Sequence, residues 1–157
     1  MLALIYNGVP SNDKDEIALE ICCQLLSNSQ KTGILDKLQL DGDIMSVGAS
    51  QNAMRDAGIL MINAIPSFDA NQNRWDSHKS VEKIVLSSLR QLQNGEFDEV
   101  TLEAIKQNMI REYDLQMESN EMKAYILASL FNTGADPSDI VNFKEKVKAV
   151  TIDEVKA

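Results

Sequence analysis

The sequence predicts an α+β domain: a small, mainly antiparallel sheet with helices packed against it. Three observations carry that prediction. The strand-like runs all lie before Pro66, and the second half of the chain shows only helical periodicity. Between the first strand and the others lies Asn12–Asn28, NDKDEIALEICCQLLSN, a helix apolar around most of its circumference. Ile17, Ala18, Leu19, Ile21, Cys22, Cys23, Leu25 and Leu26 cover it, and only Glu16, Glu20 and Gln24, four residues apart, leave a thin polar stripe. A helix of this kind is central, with a sheet on one side and other elements over the rest.

In chain order, Leu2–Val9 alternates as a strand, with Leu2, Leu4 and Tyr6 on one face and Ala3 and Ile5 on the other, and Gly8 and Pro10 stop it. Asn12 reads as the N-cap of the central helix, with Asp13, Asp15 and Glu16 placing negative charge in its first turn. Thr32–Leu40 gives a short helix with Ile34, Leu35 and Leu38 as its apolar edge, and Asp41-Gly42-Asp43 a turn. Ile44–Gln51 alternates as a half-buried strand, with Met45, Val47 and Ala49 on one side and Ser46, Gly48 and Ser50 on the other, Asn52–Asp56 is a loop, and Gly58–Ile65 is apolar enough for a central strand. The last two strands form a locally joined antiparallel pair.

After the polar Ser67–Trp75 loop, Asp76 or Ser77 caps a helix with Val81, Ile84, Val85, Leu89 and Leu92 in one stripe, ended by Asn94-Gly95. Asp98 opens the next, aligned through Leu102, Ile105, Met109, Tyr113 and Met117. A break at Ser119 or Asn120 precedes a helix bearing Ile126, Leu127, Leu130 and Phe131, closed by Gly134; Asp136-Pro137 opens another with Ile140, Phe143 and Val147. Thr151–Glu154 is a capping box close to Ala157, and a strand begins already at Leu2. Residues 1–157 therefore read as a single domain cut at both ends from a longer protein.

The 157 residues suffice for one core, and 44% hydrophobic with 25% charged residues is a globular composition. A net charge of −9 argues against a nucleic-acid partner, because phosphate binding needs clustered Lys and Arg. No apolar run approaches the length of a membrane span. Met1 leads straight into a strand-like run, so this segment opens on no export leader, and both a cytoplasmic and a bacterial periplasmic setting stay open.

Few residues invite chemistry. His78, the single histidine, has Glu82 one turn on, but a zinc site needs a third ligand, and an exposed residue in the first turn of an amphipathic helix is the reading favoured. Cys22 and Cys23 are adjacent on a buried helix and read as core residues rather than reactive thiols. Asp41 and Asp43 around Gly42 lack the remainder of a calcium loop. Glu96, Asp98, Glu99 and Glu103 cluster where a helix macrodipole accounts for them. Trp75 and Phe68 bound the Asn-rich loop and read either as a binding edge or as the loop's anchors. No catalytic, metal-binding or substrate-binding residue is assigned.

The chain resembles the non-catalytic domain of the pitrilysin/insulinase family of zinc metallopeptidases, related to mitochondrial processing peptidases. The stretches that carry the resemblance are LALIYNGVPSNDKDEIALEICCQLLSN, GILDKLQLDGDIMSVGAS, AGILMINAIPS and VEKIVLSSLRQLQNGEFDEVTLEAIKQNMI. It implies one of several repeated α+β domains that face each other across a closed peptide chamber. In the active repeat, H-x-x-E-H lies on the buried helix. Here that pattern falls on Ala18–Cys23, with Leu19, Cys22 and Cys23 where His, Glu and His stand. The Arg and Tyr that some members supply from a partner domain, seven residues apart, correspond to Asp36 and Asp43. Carboxylates cannot donate hydrogen bonds to a developing oxyanion.

The resemblance thus implies a non-catalytic structural domain with no cofactor of its own and zinc in a sister domain. Its partners would be the other domains of the same chain and, through them, peptide substrate; alone it would self-associate. One alternative is a peptide- or partner-binding domain of an inactive peptidase homologue. Another is an unrelated α+β module that binds through its Asp69–Asn73 and Asn52–Asp56 loops.

Overall fold

The computed structural model describes residues 1–42, 44–67, 74–136 and 138–156, and for 74–77 the backbone only. The elements run β1 (Leu2–Gly8), α1 (Glu16–Leu26), α2 (Ile34–Leu40), β2 (Ile44–Ala53), β3 (Gly58–Pro66), α3 (Arg74–Gln93), α4 (Glu99–Gln116), α5 (Asn120–Thr133), α6 (Ser138–Ala149) and α7 (Ile152–Lys156). The strands form one antiparallel sheet in the order β1-β3-β2. The expected α+β layer fold is present, with β3, the most apolar strand, in the centre.

Pairing fixes which side chains share a face. Leu2, Leu4 and Tyr6 lie opposite Ala64, Ile62 and Leu60, and on the other edge Val47, Ala49 and Gln51 meet the same three residues. This inner face joins the core with α1 and α3, the latter through Val81 and Val85. Met45 departs from the expected alternation. The β2–β3 register shifts between Ile44 and Ser46, so Ile44 is buried along with Val47 while Met45 stands exposed. One extra residue in one strand reverses the side on which its neighbours project. Gly58 is needed where β1 ends: a Cβ there would lie 2.0 Å from the Val9 carbonyl oxygen.

α1 is in contact with β2 of the sheet and with α2, α3, α4, α6 and α7, which is why nearly its whole circumference is apolar. It begins later than Asn12 suggests. Asn12 adopts φ 68°, its N–H donates to the Glu16 carboxylate at 2.7 Å, and the helix starts after Asp15. It also ends at Leu26, with Ser27 extended and the Asn28 amide donating to the Gln24 carbonyl. α3 begins at Arg74, ahead of the expected cap at Asp76 or Ser77.

Other caps lie where the sequence places them. Asp98 accepts from the Val100 N–H, Ser119 from the Met122 N–H, and Gly134 closes α5 in the left-handed region at φ 75°. The Thr151–Glu154 box forms, with the Thr151 N–H donating to Glu154 Oε2 at 2.7 Å. A helix does follow it: α7 buries Val155 against the core. The apolar edge of α5 divides, Ile126 and Leu130 half-buried, Leu127 and Phe131 exposed, and α5 has no fully buried residue. Among the described residues no helix is long and apolar enough to cross a membrane.

Candidate functional site: the central helix and its surroundings

The positions singled out on α1 are built for packing. Leu19 is half-buried and offers no donor atom, and Cys23 is 1% exposed. Cys22 is half-buried beside α7, where its thiol donates to the Val155 carbonyl at 3.3 Å. Burial pushes the Cys22 thiol up to about 11. Burial, then the nearby Glu20 and Cys22 charges, push Cys23 to about 12. Both are protonated at neutral pH and poor nucleophiles. No group of three or more His, Cys, Asp or Glu among the described residues is placed to hold a metal, so the donor set on this helix does not fit a zinc centre.

His78 lies in α3, half-buried, its Nε2 3.3 Å from the Met1 amino group, while Glu82 one turn on is exposed. The acidic cluster before α4 does local work. Asp98 caps the helix, Glu99 sits in its first turn, Glu103 pairs with Lys106 at 2.8 Å and Glu96 accepts from the Asn94 amide. Asp43, Phe68 and the Asn-rich loop Asp69–Asn73 lie outside the described residues, as does the Trp75 side chain.

Asp36 is the charged residue whose role the sequence did not disclose. It is 0% exposed and accepts from Ser27 Oγ at 2.9 Å, the Asn28 N–H at 2.9 Å and the Gly33 N–H at 3.1 Å. Lys31 adds an ion pair at 3.5 Å. The carboxylate therefore ties the end of α1 to the start of α2. The signal available in sequence was Gly33 with an acid three residues later, the spacing of a helix-capping reciprocal pair. Gly33 has no substitute there, since a Cβ would lie 2.4 Å from the Leu26 carbonyl oxygen.

Among the described residues two surfaces stand open. The outer face of the sheet carries Ala3 and Ile5 from β1, Ile59, Met61, Asn63 and Ile65 from β3, and Ser46, Gly48, Ser50 and Asn52 from β2. Ile5 is 64% exposed, and Met45 at the bulge 59%. On the helical side, a cleft opens between the start of α1 and helices α4, α5 and α6.

Comparison with known proteins places this architecture. Residues 1–109 match the family described as the peptidase M16 inactive domain. No curated protein matches the sequence. Among solved structures, a protease from Helicobacter pylori superposes with TM-score 0.83 at 19% identity, over 98% of this chain and 36% of that one. A peptidase M16 inactive domain from Pseudomonas fluorescens gives 0.81 at 18%, over 98% and 35%. The inactive peptidase domain of a candidate zinc protease from Bordetella parapertussis gives 0.77 at 15%, over 98% and 80%. The chain thus spans little more than a third of the first two. With its fold and the match over residues 1–109 in agreement, the chain belongs to the peptidase M16 inactive-domain family.

Proposed function

We propose that this chain is a non-catalytic structural domain of a larger zinc metallopeptidase, forming part of the wall of its peptide chamber and packing against the domain that carries the zinc. The observation that carries the reading is the asymmetry of the sheet. Its inner face is covered by helices, while its outer face leaves Ile5, Ile59 and the bulged Met45 exposed. A three-stranded sheet with apolar side chains on an open face is a surface that another domain covers. The replacement of the family's zinc ligands by Leu19 and Cys23 on α1 supports the division of labour, with zinc held by the sister domain.

The test supplies the parent's zinc-bearing domain in trans to the wild-type chain and to Ile5→Lys/Met61→Lys. Association and chelator-sensitive peptide cleavage are expected with the wild-type chain only, while both chains keep the same melting temperature. Equal association by both would refute this use of the sheet face.

A further inference from the structure

The polar stripe of α1 has no part in the chamber-wall reading. Glu16 and Glu20 open into the cleft between α1, α4, α5 and α6, a cavity of about 320 Å³, at the lower end of the roughly 300–1,000 Å³ of small-molecule sites. Its body is apolar: Ile17 and Met109 contribute from α1 and α4, and Ile126 and Leu130 from α5. Tyr113 and Phe143 also line it, their rings stacked with centroids 4.5 Å apart. The Tyr113 hydroxyl is committed to the Ile140 carbonyl at 2.5 Å, so what it offers the cleft is ring surface.

The rim is acidic. Among the lining residues the one cation is Lys146, and its ammonium is held by Asp139 at 2.6 Å. Glu16 and Glu20 have no ion-pair partner among the described residues. Glu16 accepts from the Asn12 N–H at 2.7 Å and Glu20 from the Gln24 amide at 3.2 Å. Two carboxylates one helical turn apart repel each other, and the cation lining the same cavity, Lys146, is paired with Asp139 rather than with either of them.

We infer that this cleft binds a small organic cation, an ammonium or guanidinium group on an aromatic or branched apolar body. The cationic group lies at Glu16 and Glu20, and the body lies against Tyr113 and Phe143. The class follows from the lining. An anion meets two like charges, a neutral molecule gains no charge pairing from either carboxylate, and an inorganic cation makes no use of the apolar walls. The inference is independent of the peptidase reading.

The test titrates the isotope-labelled full chain with phenethylammonium, and in parallel with 2-phenylethanol and 3-phenylpropionate, neutral and anionic partners of similar body. Saturable amide shifts confined to Glu16–Glu20 and Ile140–Phe143 are expected for the amine, with the alcohol about ten-fold weaker and the carboxylate inert. Glu16→Gln/Glu20→Gln should weaken amine binding about ten-fold while the amide spectrum outside the cleft stays that of the folded chain. Ile126→Trp, which fills the cleft and leaves both carboxylates in place, should abolish it. Equal affinity for amine and alcohol, shifts centred elsewhere, or undiminished binding by the double variant overturns the assignment. Tighter binding of a blocked Phe-Lys dipeptide than of the amine also overturns it, in favour of a peptide side chain.

Discussion

Asp36→Ala is the substitution with the largest expected effect among exposed-looking polar residues. It removes the acceptor of three hydrogen bonds at a 0% exposed site. A buried donor left without a partner costs roughly 1–3 kcal/mol. Gly33 is buried and its N–H bears that cost in full, whereas Ser27 and Asn28 are half-buried and regain water. The expected total is about 3–4 kcal/mol, a large share of the 5–15 kcal/mol typical of a domain. For a chain of 157 residues that lowers the melting temperature by roughly 6–16 °C. Asp36→Asn keeps one acceptor but turns an NH₂ toward the donors, and should cost about 2 kcal/mol. Lys31→Ala should cost under about 1 kcal/mol, because Lys31 is 49% exposed and 3.5 Å away. Urea unfolding followed by circular dichroism, at unchanged m-value, measures all three. A loss below about 1 kcal/mol for Asp36→Ala, or a Lys31→Ala loss as large, would refute the anchoring role.

Other expectations follow from the same packing. Gly33→Ala should destabilise although alanine is the better helix former, since its Cβ meets the Leu26 carbonyl; equal or higher stability in urea would contradict the close approach. The two thiols, with folded values of about 11 and about 12 against 9.0, keep their protons where the unfolded chain loses them. The unfolded state then binds fewer protons, so their contribution is intact below pH 9 and falls as pH rises from 9 toward 12. Cys22→Ala/Cys23→Ala should flatten that decline, and native protein at pH 8 should react with a disulfide reagent only after unfolding; rapid native labelling would count against burial. α5, with no fully buried residue, should exchange its amides before α1 and β3 do, and uniform protection across these elements would contradict its loose seating. The uncovered sheet face predicts concentration-dependent self-association of the isolated chain, relieved by Ile5→Lys/Met61→Lys in sedimentation velocity.

The fold was legible where one element's periodicity had no competitor. The near-complete apolar girth of α1 announced a helix enclosed by a sheet and further helices, and β3's unbroken apolar run announced the central strand. Asn12 misled because Asn12, Asp13 and Asp15 all resemble caps, and only the positive φ at Asn12 shows that the chain turns there before the helix begins. The bulge at Met45 leaves no mark in side-chain type, and one inserted residue is enough to exchange faces. Leu127 and Phe131 fit a core stripe by spacing, but their exposure depends on how far α5 stands from α4 and α6, a tertiary quantity. Asp36 looks like a surface acid on a short helix until Ser27, Asn28 and Gly33 are brought around it. The stripe Glu16, Glu20, Gln24 was visible at once; the cleft beside it depends on three helices that begin more than seventy residues downstream.

The central claim is that α1 keeps the family's buried helix without its metal chemistry. The direct measurement incubates metal-free full chain with one equivalent of zinc, removes the excess, and determines bound metal alongside cleavage of an unstructured peptide. Leu19 offers no ligand atom, and Cys22 and Cys23, consecutive on a helix, point roughly 100° apart and cannot both face one ion. Substoichiometric zinc and no cleavage are the predicted result. One tightly held zinc per chain together with chelator-sensitive proteolysis would contradict it.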